Sequence, residues 1–135
     1  MDGASTPPPR LAVLVIDDGP DNRLLLRALL ERGGYRPVLA DSGEAGLACF
    51  ERETPALILL DLRMPRLNGW DLAARLRAND RLRSVPIVVV AAHLAIAEEA
   101  AAIGARAWLH KPVSIDHLLS VVRGLFGEPR GEAAL

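Results

Sequence analysis

The sequence LAVLVIDDGP, residues 11–20, decides the fold of this chain. Its first six residues are apolar without interruption, and the run ends abruptly at two aspartates followed by Gly-Pro. An unbroken apolar run of this length is typical of a strand buried on both faces, whereas a half-exposed strand alternates apolar and polar residues. Strands of this kind form parallel sheets with helices packed on either side, so the remaining sequence should supply those helices.

The rest of the chain alternates short apolar runs with helical segments. After a first strand over 11–16, further strands are predicted over 36–40, 56–60, 86–90 and 106–109. Helices are predicted over 21–31, from about 41 to 53, over 68–79, up to about 103 and from 114 onward. This alternation predicts a three-layer doubly wound α/β domain with a five-stranded parallel sheet, for which the flavodoxin-like order 2-1-3-4-5 is the common choice.

Local motifs mark several helix ends. Gly33-Gly34 and Gly104 are expected to end helices, because glycine adopts the backbone conformations found there. Asp41 with Glu44 has the spacing of a capping box, and Ser114 is expected to cap the last helix. In the third helix, the spacing of Trp70, Ala73 and Leu76 predicts that they lie near one packed face.

The composition excludes several classes of function. The chain has 135 residues, enough for one domain, and its 16 basic and 17 acidic residues give a net charge of −1. This balance offers no broad basic surface for nucleic acid or a membrane. The single cysteine, Cys49, excludes an intramolecular disulfide, and no apolar run is long enough to span a bilayer, so we expect a cytoplasmic protein. We expect a disordered leader over 1–9, a stand-alone domain over 10–126 and a flexible tail over 127–135.

Charged residues follow three of the predicted strands. Ligands of doubly wound folds bind beyond the carboxyl ends of the strands, where the strand order reverses, here between strands one and three. Strand one ends at Asp17-Asp18, strand three at Asp61 and strand five at Lys111. Three carboxylates this close would repel one another without a counter-ion, and Mg²⁺ suits them because it takes oxygen ligands and phosphate. Lys111 would contact an incoming phosphoryl oxygen, and Asp61 would be a nucleophile that forms an aspartyl phosphate.

These motifs resemble those of the receiver domains of two-component response regulators. The resemblance rests on VLVIDD (13–18), DLRMP (61–65) with Asn68-Gly69, and Lys111-Pro112, and it covers about residues 10–126. It implies that Asp61 is phosphorylated, that Asp17, Asp18, Asp61 and the main-chain carbonyl of Arg63 bind Mg²⁺, and that Lys111 contacts the phosphoryl group. It also implies a cis peptide bond between Lys111 and Pro112, as is common in the family.

The resemblance implies a signalling protein and not an enzyme, beyond self-catalysed phosphorylation and dephosphorylation. A histidine kinase or histidine phosphotransfer protein would donate the phosphoryl group. A downstream protein would bind the face formed by helix four, strand five and helix five, while nucleic acid and membranes are not expected as partners.

Two family positions are occupied unusually. Receivers place Ser or Thr at the end of strand four, where this chain has Ala91, and Trp108 fills the aromatic switch position of strand five. The segment from Ala91 to Gly104 is also shorter than is usual in the family. We therefore expect a domain that accepts phosphoryl but switches atypically, because a hydrogen bond to the charged group is lost. By the same resemblance, Arg63 and His93 are expected to tune hydrolysis.

Other interpretations remain open from the sequence. The Asp17-Asp18 pair could simply cap the first helix, Trp108 could serve in packing, and Glu98-Glu99 could be a solvated face. The main functional alternative is a pseudo-receiver, a phosphorylation-independent interaction module, which Ala91 favours and the intact acids oppose. A small phosphatase is less well supported because the acids are adjacent and a cap domain is missing, and a flavin phosphate would be repelled by the three aspartates.

Overall fold

The computed structural model describes residues 10–93 and 95–126, so the expected leader over 1–9 and tail over 127–135 lie outside the described residues. The strands are β1 (Ala12–Ile16), β2 (Arg36–Ala40), β3 (Leu57–Leu60), β4 (Ile87–Ala91) and β5 (Ala107–His110). The helices are α1 (Pro20–Arg32), α2 (Gly43–Arg52), α3 (Gly69–Arg77), α4 (Ile96–Ala102) and α5 (Ile115–Phe126). Among these helices, none combines the length and the apolar character needed to span a bilayer.

The five strands form one parallel sheet in the order β2-β1-β3-β4-β5, which confirms the predicted fold. β1, β3 and β4 are buried along their whole lengths, whereas the edge strands β2 and β5 are partly exposed. The unbroken apolar runs therefore identified the central strands, because only a central strand is covered on both faces.

Two apolar clusters fill the space between the sheet and its helices. On one face, α2, α3 and α4 pack through residues that include Phe50, Leu72 and Ile96. On the other face, α1 and α5 pack through residues that include Leu26 and Leu118. This arrangement makes three layers and leaves the carboxyl ends of the strands open at one end of the sheet.

One predicted helix cap is wrong and another is confirmed. α2 is capped by Ser42, whose hydroxyl accepts a hydrogen bond from Ala45 N at 3.0 Å. Asp41 does not cap it, because the helix begins at Gly43 and Glu44 consequently occupies its second position, too early for a capping box. The Ser114 hydroxyl accepts from His117 N at 3.1 Å, as expected for the cap of α5.

The predicted packing of α3 is correct in part. Ala73 and Leu76 are buried, but Trp70 is 36% exposed. Each step of three residues turns by about 300°, so two such steps separate Trp70 from Leu76 by about 120° around the helix. Spacing alone therefore placed Trp70 on the packed face although it lies at the margin.

Candidate functional site

The register of the sheet brings the predicted charged residues to one edge. Ile16 of β1 pairs with Leu60 of β3, and Asp61 N donates to Ile16 O at 2.9 Å. Asp17 and Asp61 therefore follow directly after paired strand ends. Lys111 N donates to Ala91 O at 2.8 Å, so the end of β5 is held beside the end of β4.

Three carboxylates meet at this edge. Oxygens of Asp17, Asp18 and Asp61 lie within 4.8 Å of one another. Asp17 and Asp61 are almost fully buried, at 1% and 5% exposure, whereas Asp18 is exposed. The cluster thus has two carboxylates shielded from water and one that opens to solvent.

Asp17 is held from several directions. Its Oδ1 accepts from Gly19 N at 2.8 Å, and its Oδ2 accepts from Asn22 Nδ2 at 2.6 Å. Arg23 Nη1 donates to the Asp17 carbonyl at 2.7 Å. The N-cap of α1 is Gly19, without a side-chain cap, so the interpretation of the aspartate pair as a helix cap is not supported.

Lys111 lies between the two buried carboxylates. Its Nζ is 3.1 Å from Asp17 Oδ2 and 3.5 Å from Asp61 Oδ2. Burial works to lower the pKa of the Lys111 ammonium, but Asp17 and Asp61 outweigh it and raise that pKa above its ordinary value. Lys111 therefore carries its charge at neutral pH and stands where a point charge would face a group attached to Asp61.

The surroundings of Asp61 disfavour its charged form. Burial is the main cause that raises the pKa of Asp61, and Asp17 and Asp18 raise it further. The hydrogen bond from Arg63 N to Asp61 Oδ1, at 3.0 Å, and the charge of Lys111 oppose this rise only in part. A single ammonium group does not neutralise three acids, so the site favours an additional cation.

Gly69 allows the loop after β3 to close tightly. A Cβ at this position would lie 2.6 Å from both the Asp61 carbonyl oxygen and Leu62 Cα. Gly69 N also donates to Leu62 O at 3.1 Å, which ties the start of α3 to the residues that follow β3. Only glycine fits here without moving the backbone that carries Asp61.

The structure places the remaining predicted residues around this cluster. Ala91 is buried at the end of β4, and Trp108 on β5 is 40% exposed, so it is not a core residue. The Lys111–Pro112 peptide bond is cis, as expected. The side chains of Arg63 and His93 touch each other, with Arg63 Nε donating to His93 Nδ1 at 3.3 Å.

Two residues at the site were missed by the sequence interpretation. Asn22 holds Asp17, and its position two residues after Pro20 gave no indication of this contact. Glu99, interpreted as part of a solvated face, contacts Arg63 and His93 instead. Only Glu98 of that pair is fully on the solvent side.

The donor set fits Mg²⁺. The oxygens of Asp17, Asp18 and Asp61 are hard ligands in an incompletely neutralised cluster, and one side of it is open for water and phosphate. The fit rests on this chemistry and on the raised pKa of Asp61, which an added cation would reverse.

A parallel α/β fold with an acidic cluster at the strand ends and a lysine between two of its acids is the architecture of a signalling domain, and comparison with known proteins gives the family. Residues 13–123 match the response regulator receiver domain family, to which this chain belongs. It is thus a receiver domain of two-component signalling.

Individual relatives share most of the domain. The chain is 37% identical over 138 aligned residues to the virulence sensor protein BvgS of Bordetella bronchiseptica, covering 97% of this chain and 11% of that protein. It is 27% identical to the polar-differentiation response regulator DivK of Brucella anthropi, covering 87% of this chain and 97% of DivK. The chain therefore spans about a tenth of BvgS and nearly all of DivK.

A solved structure matches in three dimensions. The receiver domain of the sensor histidine kinase PA1611 from Pseudomonas aeruginosa is described with a magnesium ion coordinated in its active site cleft. It superposes with a TM-score of 0.80 at 29% identity, over 88% of this chain and 99% of that one.

Proposed function

We propose that this receiver domain is phosphorylated on Asp61, with Mg²⁺ bound by Asp17, Asp18, Asp61 and the main-chain carbonyl of Arg63. The observation that carries the proposal is the position of Asp61, buried within 4.8 Å of two further acids and 3.5 Å from the Lys111 ammonium. An ionised carboxylate that is buried beside two other acids destabilises the fold. Bound cations and transfer of a phosphoryl group to Asp61 would relieve that cost.

The reaction follows from these positions. A carboxylate oxygen of Asp61 attacks the phosphorus of a phosphohistidine, an O–P bond forms, and the P–N bond breaks. The departing ring nitrogen takes a proton from solvent, so the histidine of the donor leaves neutral. Lys111 neutralises one oxygen of the transferred group, and bound Mg²⁺ would supply further charge neutralisation.

Ala91 bears on how the phosphorylated state is sustained. Its methyl group is buried at the end of β4, where family members carry a hydroxyl that binds a phosphoryl oxygen. A hydrogen bond to a charged group is worth about 1.5–3 kcal/mol, so its absence should weaken the coupling between phosphorylation and the β4–α4 segment. The proposed domain therefore accepts phosphoryl and switches atypically, with Arg63 and His93 tuning hydrolysis at the mouth of the site.

The proposed partners are proteins. A histidine kinase or histidine phosphotransfer protein supplies the phosphoryl group, and a downstream protein binds the face of α4, β5 and α5. The exposure of Trp108 on β5 supports this face, because a large aromatic side chain at a surface commonly anchors a protein contact. We also propose a cytoplasmic location, which agrees with the free thiol of Cys49.

Intact-mass spectrometry tests the proposal directly. Purified protein is incubated with Mg²⁺ and an acyl phosphate, and the wild type should gain the mass of one phosphoryl group. Asp61→Asn should gain nothing, whereas Asp71→Asn, at an exposed aspartate in the first turn of α3, should behave as the wild type. Absence of a mass gain on rapid sampling, together with absence of Mg²⁺ binding, would overturn the proposal in favour of a pseudo-receiver.

A further inference from the structure

Three side chains from separate segments meet at the mouth of the site. Besides its bond to His93, Arg63 places Nη2 3.8 Å from Glu99 Oε2. His93 Nε2 is bonded to Glu99 Oε1. Because His93 Nδ1 accepts a hydrogen bond from Arg63, the ring proton lies on Nε2, which donates a hydrogen bond to Glu99. A single tautomer of His93 therefore satisfies both of its contacts, alongside the ion pair of Arg63 with Glu99.

The network joins the loop after β3 to helix α4. Arg63 belongs to that loop and its main-chain N–H already binds the Asp61 carboxylate. Glu99 lies within α4, and His93 lies in the segment between β4 and α4. Through the carboxylate of Glu99, α4 is thus attached to two side chains near the proposed phosphorylation site.

The three side chains of this network differ in solvent exposure, which determines which of them can move. The side chains of His93 and Glu99 are each 21% exposed, whereas that of Arg63 is 66% exposed. Arg63 is therefore the member that is free to change partner, since most of its side chain moves through solvent. An arginine guanidinium can bind a phosphate, like a carboxylate, through two parallel hydrogen bonds.

We propose that Arg63, His93 and Glu99 form a latch that holds α4 in the unphosphorylated domain and opens when Asp61 is phosphorylated. This inference rests on the proposed function of Asp61. An aspartyl phosphate carries more negative charge than Glu99 and is tethered two residues from Arg63, so it competes with Glu99 for the guanidinium. Once Arg63 turns to the phosphoryl group, Glu99 keeps only His93, and α4 is less firmly attached.

The latch would give this chain a route of transmission that does not need a hydroxyl at position 91. Ala91 removes the usual contact between the phosphoryl group and the end of β4. Glu99 instead provides a charge-based connection that reaches α4 directly. The positions that tune hydrolysis would here also carry the conformational response.

Hydrogen exchange of the segment 95–103, read by mass spectrometry, tests the latch. Glu99→Gln removes the charge that attracts Arg63, and Glu98→Gln is the matched control at the exposed neighbouring position. In the free state we expect exchange of the segment to rise roughly two- to fivefold in Glu99→Gln, the effect of losing a partly exposed ionic contact, and to remain at the wild-type rate in Glu98→Gln.

A phosphoryl mimic then tests the response. Beryllium fluoride with Mg²⁺ should raise exchange of the same segment in the wild type to the level of Glu99→Gln and should change Glu99→Gln little, while Mg²⁺ alone should leave the wild type unchanged. The latch is refuted if Glu99→Gln exchanges like the wild type in the free state. It is equally refuted if Asp61 gains phosphoryl mass but the mimic leaves the segment unaltered. Failure of Asp61 to gain mass or bind the mimic would instead overturn the proposed function, and the free-state comparison would still decide whether Glu99 holds α4.

Discussion

Replacing Asp61 by Asn should stabilise the metal-free domain, although it removes the proposed acceptor. Attraction of Asp61 to Lys111 at 3.5 Å is about 5 kcal/mol at an effective dielectric constant of about 20. Repulsion from buried Asp17, within 4.8 Å, is at least about 3 kcal/mol, and solvent screens the smaller repulsion from exposed Asp18. Repulsion from the two acids thus offsets much of the attraction to Lys111. Burial is the largest cause acting on Asp61, and it outweighs what remains of that attraction together with the hydrogen bond from Arg63 N.

The pH dependence follows from the raised pKa of Asp61. Burial raises this pKa above its value in the unfolded chain, so the folded domain holds the proton more tightly and ionisation of Asp61 costs stability. The cost is absent below the unfolded pKa and grows as pH rises through the folded pKa. We therefore expect Asp61→Asn to be more stable than the wild type at neutral pH, by the roughly 0.5–2 kcal/mol that single stabilising substitutions commonly give. The gain should shrink as pH falls.

Urea denaturation in the presence of a chelator measures this effect. The control is Asp41→Asn, an exposed aspartate after β2, for which we expect a change within about 0.5 kcal/mol. Added Mg²⁺ should reverse the order, since a ligand at about a hundred times its dissociation constant stabilises the folded state by about 2.7 kcal/mol and the wild type binds it better. A metal-free Asn variant that is less stable than the wild type at neutral pH would contradict a destabilising charge on Asp61, and so would an advantage that does not change with pH.

Three further substitutions, one of them with a control variant, test other parts of the structure. Gly69→Ala should lower the free energy of unfolding in urea by about 1–3 kcal/mol, because its Cβ would lie 2.6 Å from the Asp61 carbonyl oxygen. Gly124→Ala in α5 is the control; its Cβ would meet open space, so the free energy of unfolding should rise by up to about 1 kcal/mol. Ile58→Ala, in the fully buried β3, should cost about 2–5 kcal/mol by the same measurement, and a cost below about 1 kcal/mol would contradict the central place of β3. Ala91→Ser should prolong the phosphorylated state about tenfold or more through one hydrogen bond to the phosphoryl group, measured as decay of the phosphorylated mass; an unchanged lifetime would show that the missing hydroxyl is unimportant.

The fold could be predicted because the determinants are local and repeated. Each central strand is a short apolar run closed by a turn, and each run is followed by a helical segment, so neighbouring evidence agrees along the chain. The exact start of α2 could not be predicted, since Asp41 and Ser42 are both good caps and the choice depends on how β2 leads into the helix. The orientation of Trp70 depended similarly on packing that spacing does not determine.

The charged cluster could be predicted because it needs only the strand order and the residue at each strand end. Asp17, Asp61 and Lys111 come together through main-chain register, which the apolar runs determine. The contacts of Glu99 could not be predicted, because they depend on where α4 begins and how far the Arg63 side chain extends. A pair of adjacent glutamates near a helix start is ordinary for electrostatic reasons, so nothing in the sequence distinguished Glu99 from Glu98.

Accepting a phosphoryl group and transmitting its presence place different demands on the chain. Acceptance requires charges at fixed distances, and these charges lie at the ends of strands, where the sheet holds Asp61 and Lys111 in place. Transmission requires a group that changes its binding partner. At a buried strand end only a small polar side chain could do so, and at the end of β4 the side chain of Ala91 is a methyl group. In this chain the group with freedom to move is the guanidinium of Arg63, outside the sheet and mostly in solvent. If Asp61 accepts phosphoryl as proposed, the conformational response should therefore begin at Arg63 and Glu99 and not at the end of β4.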